Sequence, residues 1–172
     1  KESLIMSRVT TPEFTASFPQ LFEASGFEGQ DPKFSVTMLW DKDEDLSKLK
    51  AACDAAVAKK WGEKPPANIS MPMKDGDGKL DKEGNQRPEY AGKKFAIAKA
   101  KESDQPKVVD NELNPILDKT VVYGGCKMRA AVSAYAWSFA GKNGVSLYLG
   151  NVQRTGDGEA FGSTSSVESD FS

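Results

Sequence analysis

Residues 127–139, KMRAAVSAYAWSF, alternate without a break. One register carries Met128, Ala130, Val132, Ala134 and Ala136, all apolar. The other carries Lys127, Arg129, Ala131, Ser133, Tyr135, Trp137 and Phe139. Successive side chains of a strand point to opposite faces, so this pattern predicts a strand with one face suited to a core. Its other face has cations at one end and three rings at the other. Gly-Lys-Asn-Gly at 141–144 predicts a hairpin turn, and VSLYLGNVQRT predicts the return strand.

Residues 4–18, LIMSRVTTPEFTASF, predict one long bent strand or two short ones broken near Pro12. Residues 19–32 are rich in Gly, Pro and acids, hence loop. KFSVTMLW at 33–40 predicts a strand. Phe34, Val36, Met38 and Trp40 share one face, with Lys33, Ser35, Thr37 and Leu39 on the other. Phe34 and Trp40 read as core. The chain's one convincing helix spans about 44–61, with acids crowding its start, lysines its end, and Gly62 and Pro65 beyond. Leu46, Leu49, Cys53, Ala56 and Val57 form its apolar stripe.

Residues 63–91 are dense in Pro, Gly, Asn and Asp and predict a long loop excursion of a functional or mobile kind. KKFAIAKAK at 93–101 predicts a strand, with Lys93, Phe95, Ile97, Lys99 and Lys101 on one side. Turn, short strand and turn follow over 108–125. From Gly156 onward, Gly, Ser and acids predict a disordered acidic tail. The expected organisation is one domain at 1–155 with a flexible tail at 156–172. The fold class is mainly β, five or six strands with one helix. That order suits a small closed or partly open barrel with the helix across it, a sandwich being the main rival.

Composition narrows the chemistry. The 172 residues contain no histidine, which removes Ser-His-Asp and Cys-His catalysis and most zinc sites. No phosphate-cradling or dinucleotide-binding glycine pattern is present. DGDGKLDKEG, from Asp75, lacks the glycine that a calcium loop needs at its sixth position, where Leu80 stands. The expectation is therefore no catalytic residue, no cofactor and no metal. Cys53 and Cys126 read as reduced, buried residues. No apolar run approaches a membrane span and no secretory signal pattern is seen, so no membrane partner is expected.

The formal net charge of −2 conceals an asymmetry. Beyond Arg154 stand Asp157, Glu159, Glu168 and Asp170 and no cation; without those four acids the rest of the chain carries +2. A mildly basic body thus bears an acidic tail. On the body, the ringed and cationic face of 127–139 admits two readings. Another layer covers the rings, or the face is a stacking platform with an electrostatic guide. In the second, bases stack on Tyr135 and Trp137 while Lys127 and Arg129 meet phosphates. The cationic and aromatic side of 93–101, with Arg87, Tyr90 and Lys94 close by, favours the second reading slightly. The tail, with Glu168, Asp170 and Phe171, then serves as a tethered mimic of nucleic acid in the basic groove.

The stretches YAGKKFAIAKAK, PKVVDNELNPI and VYGGCKMRAAVSAYAWSFAGKNGVSLYLGNVQRTGDGEAFG, with SDFS near the end, resemble a family of phage and prophage single-stranded DNA-binding proteins. PMKDGDG and RPEYAGK add to the resemblance, and the layout is similar to the replication single-strand binders of podophages. The resemblance implies an OB fold, a five-stranded Greek-key barrel, that coats single-stranded DNA in replication or recombination. It implies that Tyr135, in the Tyr-x-Trp element with Trp137, contacts DNA. It also implies that the tail recruits phage or host replication proteins, and admits a homodimer. The tail departs from the family pattern, being short and ending in Ser172 after Phe171.

The expected site is accordingly Tyr135 and Trp137, with Phe95 and Tyr90, for stacking. Lys93, Lys94, Lys99, Lys127 and Arg129 are expected to meet phosphates, and Glu168, Asp170 and Phe171 partners. The expected location is the cytoplasm of an infected bacterium. Rival readings are an RNA-binding OB module of similar chemistry, and a phage nuclease or structural protein with the rings buried.

Overall fold

The computed structural model describes residues 8–26, 28–79, 83–85 and 87–161. Along the chain these form β1 (Arg8–Thr10), β2 (Phe14–Ser25), β3 (Lys33–Asp41), α1 (Ser47–Trp61), β4 (Lys74–Asp75), β5 (Lys93–Lys101), β6 (Val108–Val109), β7 (Lys127–Phe139) and β8 (Lys142–Gly156). The strand at 127–139 is realised over its whole length. It pairs with β8 from Lys127↔Gly156 to Phe139↔Lys142.

Pairing closes a ring. β2 lies antiparallel to β3, β3 to β5, and β7 to both β8 and β2, while β5 and β8 run parallel. Five strands thus close in the order β2-β3-β5-β8-β7, the Greek-key barrel of the OB fold. β1, β4 and β6 attach to the outside of this ring on β7, β5 and β8. Inward positions follow the alternation: Phe14, Val36, Met38, Trp40, Ala96, Ala98, Met128, Val132, Leu147 and Leu149 are all buried in one core. Trp40 meets Phe14 edge to face, at 6.1 Å between centroids.

The helix lays Leu49, Ala52, Cys53 and Ala56 into the same core. It starts three residues later than its acidic run suggests, because the Asp45 carboxylate accepts the backbone N–H of Ser47 and turns the chain first. Lys59 and Lys60 occupy the last turn, and Gly62, at φ 62°, closes the helix on the Ala58 carbonyl. Cys53 and Cys126 are free and buried. Burial pushes the Cys53 thiol up to about 11 and raises that of Cys126.

Three expectations change. Residues 19–25 are strand rather than loop, since β2 continues through a bulge at Pro19 to pair Ser25 with Lys33. The β7–β8 turn is Ala140–Gly141, not 141–144; both residues take positive φ, 53° and 78°, as the two-residue turn requires. The 63–91 excursion is stitched down. Ser70 bridges Gly144 on β8, and β4 pairs with Phe95 and Lys94 on β5. The two strands pair directly only at Ala98↔Leu147 and Lys99↔Tyr148, and the excursion occupies the divergence beyond.

Composition places the start of the tail at Gly156, yet residues 157–161 lie against the barrel. The Tyr123 hydroxyl donates to the Gly158 carbonyl at 2.9 Å and accepts the Gly158 N–H at 3.1 Å. The Phe161 N–H donates to the Gly124 carbonyl at 2.8 Å, and its ring packs on Leu39, Tyr90 and Phe95. Where the segment crosses Gly125, a Cβ on Gly125 would overlap the Glu159 carbonyl, and one on Gly158 the Gly125 carbonyl. Glu168, Asp170 and Phe171 lie outside the described residues.

Gly125, at φ 116°, has neither the space nor the conformation for a side chain. Gly125→Ala is expected to lower stability by about 1 kcal/mol or more, and Ala140→Gly to raise it by a few tenths. Urea denaturation midpoints of the two variants should move in opposite directions.

Candidate nucleic-acid interface

Outward residues line up in rows across the barrel because the strands share register. Gln20, Ser35, Lys99 and Tyr148 stand level on β2, β3, β5 and β8. The next row holds Thr37, Ile97, Ser146 and Tyr135. The row after that holds Leu39 and Phe95, then, beyond the divergence filled by the excursion, Gly144 and Trp137.

These rows enclose an open groove. Phe95, Ile97 and Lys99 line it from β5, Tyr135 and Trp137 from β7, Ser146 from β8, and Ser70, Pro72 and Lys74 from the excursion. Tyr135 is 47% exposed and Ile97 39%. Trp137 is held: its indole N–H donates to the Ser146 hydroxyl at 2.9 Å, and its ring lies over Gly144, where a Cβ would overlap it. It also borders a second depression formed by residues 66–70 and 141–143. Phe139, 78% exposed, ends the strand at the hairpin tip.

Among the expected cations only Lys99 stands in this groove, and it also lines an adjoining depression with Lys33, Ser35 and Gln20. Tyr148, level with Lys99, donates its hydroxyl to Asp104 at 2.5 Å; desolvation and that bond push its ionisation upward. The Lys93 ammonium donates to the Asp41 carboxylate at 2.5 Å and holds that carboxyl below its usual range. Lys94 points to the other face and donates to the Glu44 carbonyl at 3.1 Å. Lys127 donates to the Thr15 hydroxyl at 2.6 Å.

Arg129 donates to the Gln153 side chain at 2.5 Å and lines a separate depression with Lys107 and Leu113. Six residues at about 3.3 Å each put it roughly 20 Å from Tyr135 along β7. The two ends of that strand's outer face therefore belong to different places on the barrel. Tyr90 is buried at 1%, edge to face with Phe95 at 5.3 Å and within 3.4 Å of the Ser17 hydroxyl, so its ring is closed to any ligand. Phe95, 6% exposed, forms part of the groove floor.

Lys74, Lys33, Ile97 and Ser146 were not singled out by sequence as site residues. Lys33 and Ile97 were legible, since each sits on the polar register of its own strand. Lys74 carried no periodic signal, because only the placement of the excursion brings it to the groove. The apparent calcium-like acids have structural partners: Asp77 accepts the Gly92 N–H at 2.8 Å and pairs with Lys42, and Asp75 accepts the Asp77 N–H at 2.9 Å. Among the described residues, no helix is long and apolar enough to cross a membrane.

An OB barrel with rings, an aliphatic side chain and lysines along one open groove belongs to the class of barrels that take flexible, base-bearing polyanions. The chain belongs to the family described as Enterobacter phage Enc34, ssDNA-binding protein, which matches residues 7–172. It is similar to the single-stranded DNA-binding protein from bacteriophage Enc34, solved in complex with ssDNA. The identity is 25% and the TM-score 0.73, covering 91% of this chain and 90% of that one. A C-terminal truncation of the Enc34 protein matches at 23% identity and TM-score 0.70, over 90% and 88%. The barrel is also that of gp2.5, a single-stranded DNA-binding protein encoded by bacteriophage T7, at 17% identity and TM-score 0.58, over 92% and 97%. No curated protein sequence matches the chain.

The seating of Trp137 is testable on its own. Gly144→Ala should lift the indole off its bed, break the bond to Ser146 and shift tryptophan emission to the red. The shift should vanish when Trp137→Phe is added, leaving Trp40 and Trp61 as the remaining emitters.

Proposed function

We propose that this chain is a sequence-independent single-stranded DNA-binding protein that coats DNA exposed in phage replication and recombination. One observation carries the reading: the exposed ring of Tyr135 stands beside a fixed Trp137 and shares a groove with Lys99 and Lys74. Neighbouring rings accept successive bases whatever their identity, because every base has a π-face, and lysines meet the backbone without reading sequence. The half-exposed Tyr135 speaks against the rival in which a further layer seals the rings. Membership of the Enc34 family supports DNA as the ligand.

In this reading Tyr135 and Trp137 stack, Ile97 and Phe95 supply apolar floor, and Lys99, Lys74 and Lys33 hold phosphates. Lys93 joins them by exchanging Asp41 for a phosphate. Arg129, Lys127 and Lys94 contribute only through the general field. The protein binds and releases DNA without a catalytic step. The acidic tail, with Glu168, Asp170 and Phe171, competes for the groove or recruits replication proteins, and a homodimer fits the same scheme. The protein works in the cytoplasm of the infected host.

Fluorescence anisotropy with labelled oligo-dT tests this. Tyr135→Ala is expected to weaken binding by about tenfold to a hundredfold, the range for loss of one stacked base. About four neutralised phosphates, one for each of Lys99, Lys74, Lys33 and Lys93, give a slope near −3 in log affinity against log salt, at roughly 0.7 per contact. Lys99→Ala should flatten that slope by about 0.7 and Arg129→Ala should leave it. Affinity indifferent to salt and to Tyr135→Ala would overturn the assignment.

A further inference from the structure

Phe18 is turned out of the barrel by its own backbone. Phe14 and Ala16 point into the core, and unbroken alternation would send Phe18 after them. Instead the register steps from Ser17↔Thr37 to Gln20↔Ser35, so Phe18 and Pro19 together oppose Val36 alone. That is a β-bulge, and Leu21 takes the next inward place. Phe18 adopts φ 48° and is 58% exposed.

Two unfavourable features meet in this one residue. A left-handed conformation is an outlier for a bulky side chain, and an exposed phenyl ring forgoes burial. A glycine would satisfy the backbone better, and a polar residue the solvent. Pro19 reinforces the bulge, having no N–H to restore the ladder. Bulges of this kind re-aim a side chain beside a functional surface.

The place matters as much as the strain. Phe18 follows Ser17, whose row continues through Thr37 and Ile97 to Ser146 and Tyr135. At about 4.8 Å between strands, Phe18 lies roughly 10 Å around the barrel from Ile97 and roughly 19 Å from Tyr135. Ser17 and Thr37 are themselves buried, so the open path from Phe18 runs along the neighbouring row, through the depression lined by Gln20, Ser35, Lys33 and Lys99, with Asp31 beside them. Ring, lysines and ring therefore follow one another across the strands, continuous with the groove described above.

We propose that Phe18 is a distal base-stacking residue, so that the DNA track runs across β8, β5 and β3 and ends on the β2 bulge. This rests on the assignment of the Tyr135 groove to single-stranded DNA. The track then has a near end at Tyr135 and Trp137 and a far end at Phe18. A short strand fills the near end only, and a longer one gains the far ring.

The test compares (dT)4 with (dT)12, lengths that bracket much of the range for single OB folds, by anisotropy at one salt concentration. The variant is Phe18→Gly, because glycine tolerates the positive φ and keeps the bulge. Thermal unfolding should show equal or greater stability, which separates loss of the ring from loss of the fold. Expected is a loss of about tenfold for (dT)12 with (dT)4 unchanged, while Tyr135→Ala weakens both. If Tyr135→Ala weakens both and Phe18→Gly neither, the far end is wrong and the groove stands. If Tyr135→Ala affects neither, the groove assignment itself fails and takes the track with it. Equal weakening of both lengths by Phe18→Gly also overturns a distal site. Altered self-association in sedimentation with unchanged DNA affinity would make Phe18 a subunit contact instead.

Discussion

The parallel junction between β5 and β8 is the constraint on which the rest of the molecule turns. It closes the barrel, yet direct pairing extends over only two positions on each strand, Ala98 with Leu147 and Lys99 with Tyr148. Beyond it the strands diverge, and their backbone groups need partners that the barrel does not supply. The excursion supplies them, through Ser70 on one side and β4 on the other. The groove forms where this insertion meets the sheet, so Lys74 and Pro72 face Tyr135 and Ile97 across it. Incomplete closure is thus what gives a small filled barrel a place to hold a ligand.

Glycine at two close approaches fixes what borders that place. At Gly125 and Gly158 two backbone segments cross with no room for a side chain, which holds residues 157–161 down and brings Phe161 onto the Leu39, Tyr90 and Phe95 cluster. At Gly144 the bare backbone is the bed for the Trp137 ring. The cations are graded by their partners. Lys93 is tied to an Asp41 whose side chain is mostly in solvent, and such a pair is worth at most about 1 kcal/mol. Lys127 and Lys94 answer to neutral oxygens, and Lys99 remains directed at the groove.

Strands whose two faces differ strongly were legible from residue types alone. β7, β5 and β3 appear where alternation places them, because one register is apolar and the other is not. Helix and stop signals served nearly as well: Gly62 ends α1, while the acids at its start turn the chain instead of joining the first turn. What stayed hidden depends on non-local geometry. The six-residue spacing of Arg129 and Tyr135 on a 13-residue strand already puts its cations and rings about 20 Å apart, but only the placement of the excursion shows that the groove forms at the ring end. Tyr90 gave no local sign that Phe95 and Ser17 enclose it. The bulge at Phe18 and Pro19 was equally silent, since a proline in a strand-like run also fits a loop, the reading given to residues 19–32. Alternation alone singled out Tyr135, Trp137 and Lys99 as candidates, and the resemblance added weight to Tyr135, whereas Lys74 emerged only from the placement of the excursion.

Both native thiols are sealed within the core, and burial raises each of them against ionisation. A folded molecule of this kind is chemically quiet toward sulfhydryl reagents. One cysteine placed on the rim, at Asn143 or Gln20 for instance, would therefore be the only reactive handle on the barrel, with the natural sulfurs left untouched. Dyes or crosslinkers could then follow occupancy of the two depressions that adjoin the groove in the otherwise unaltered protein.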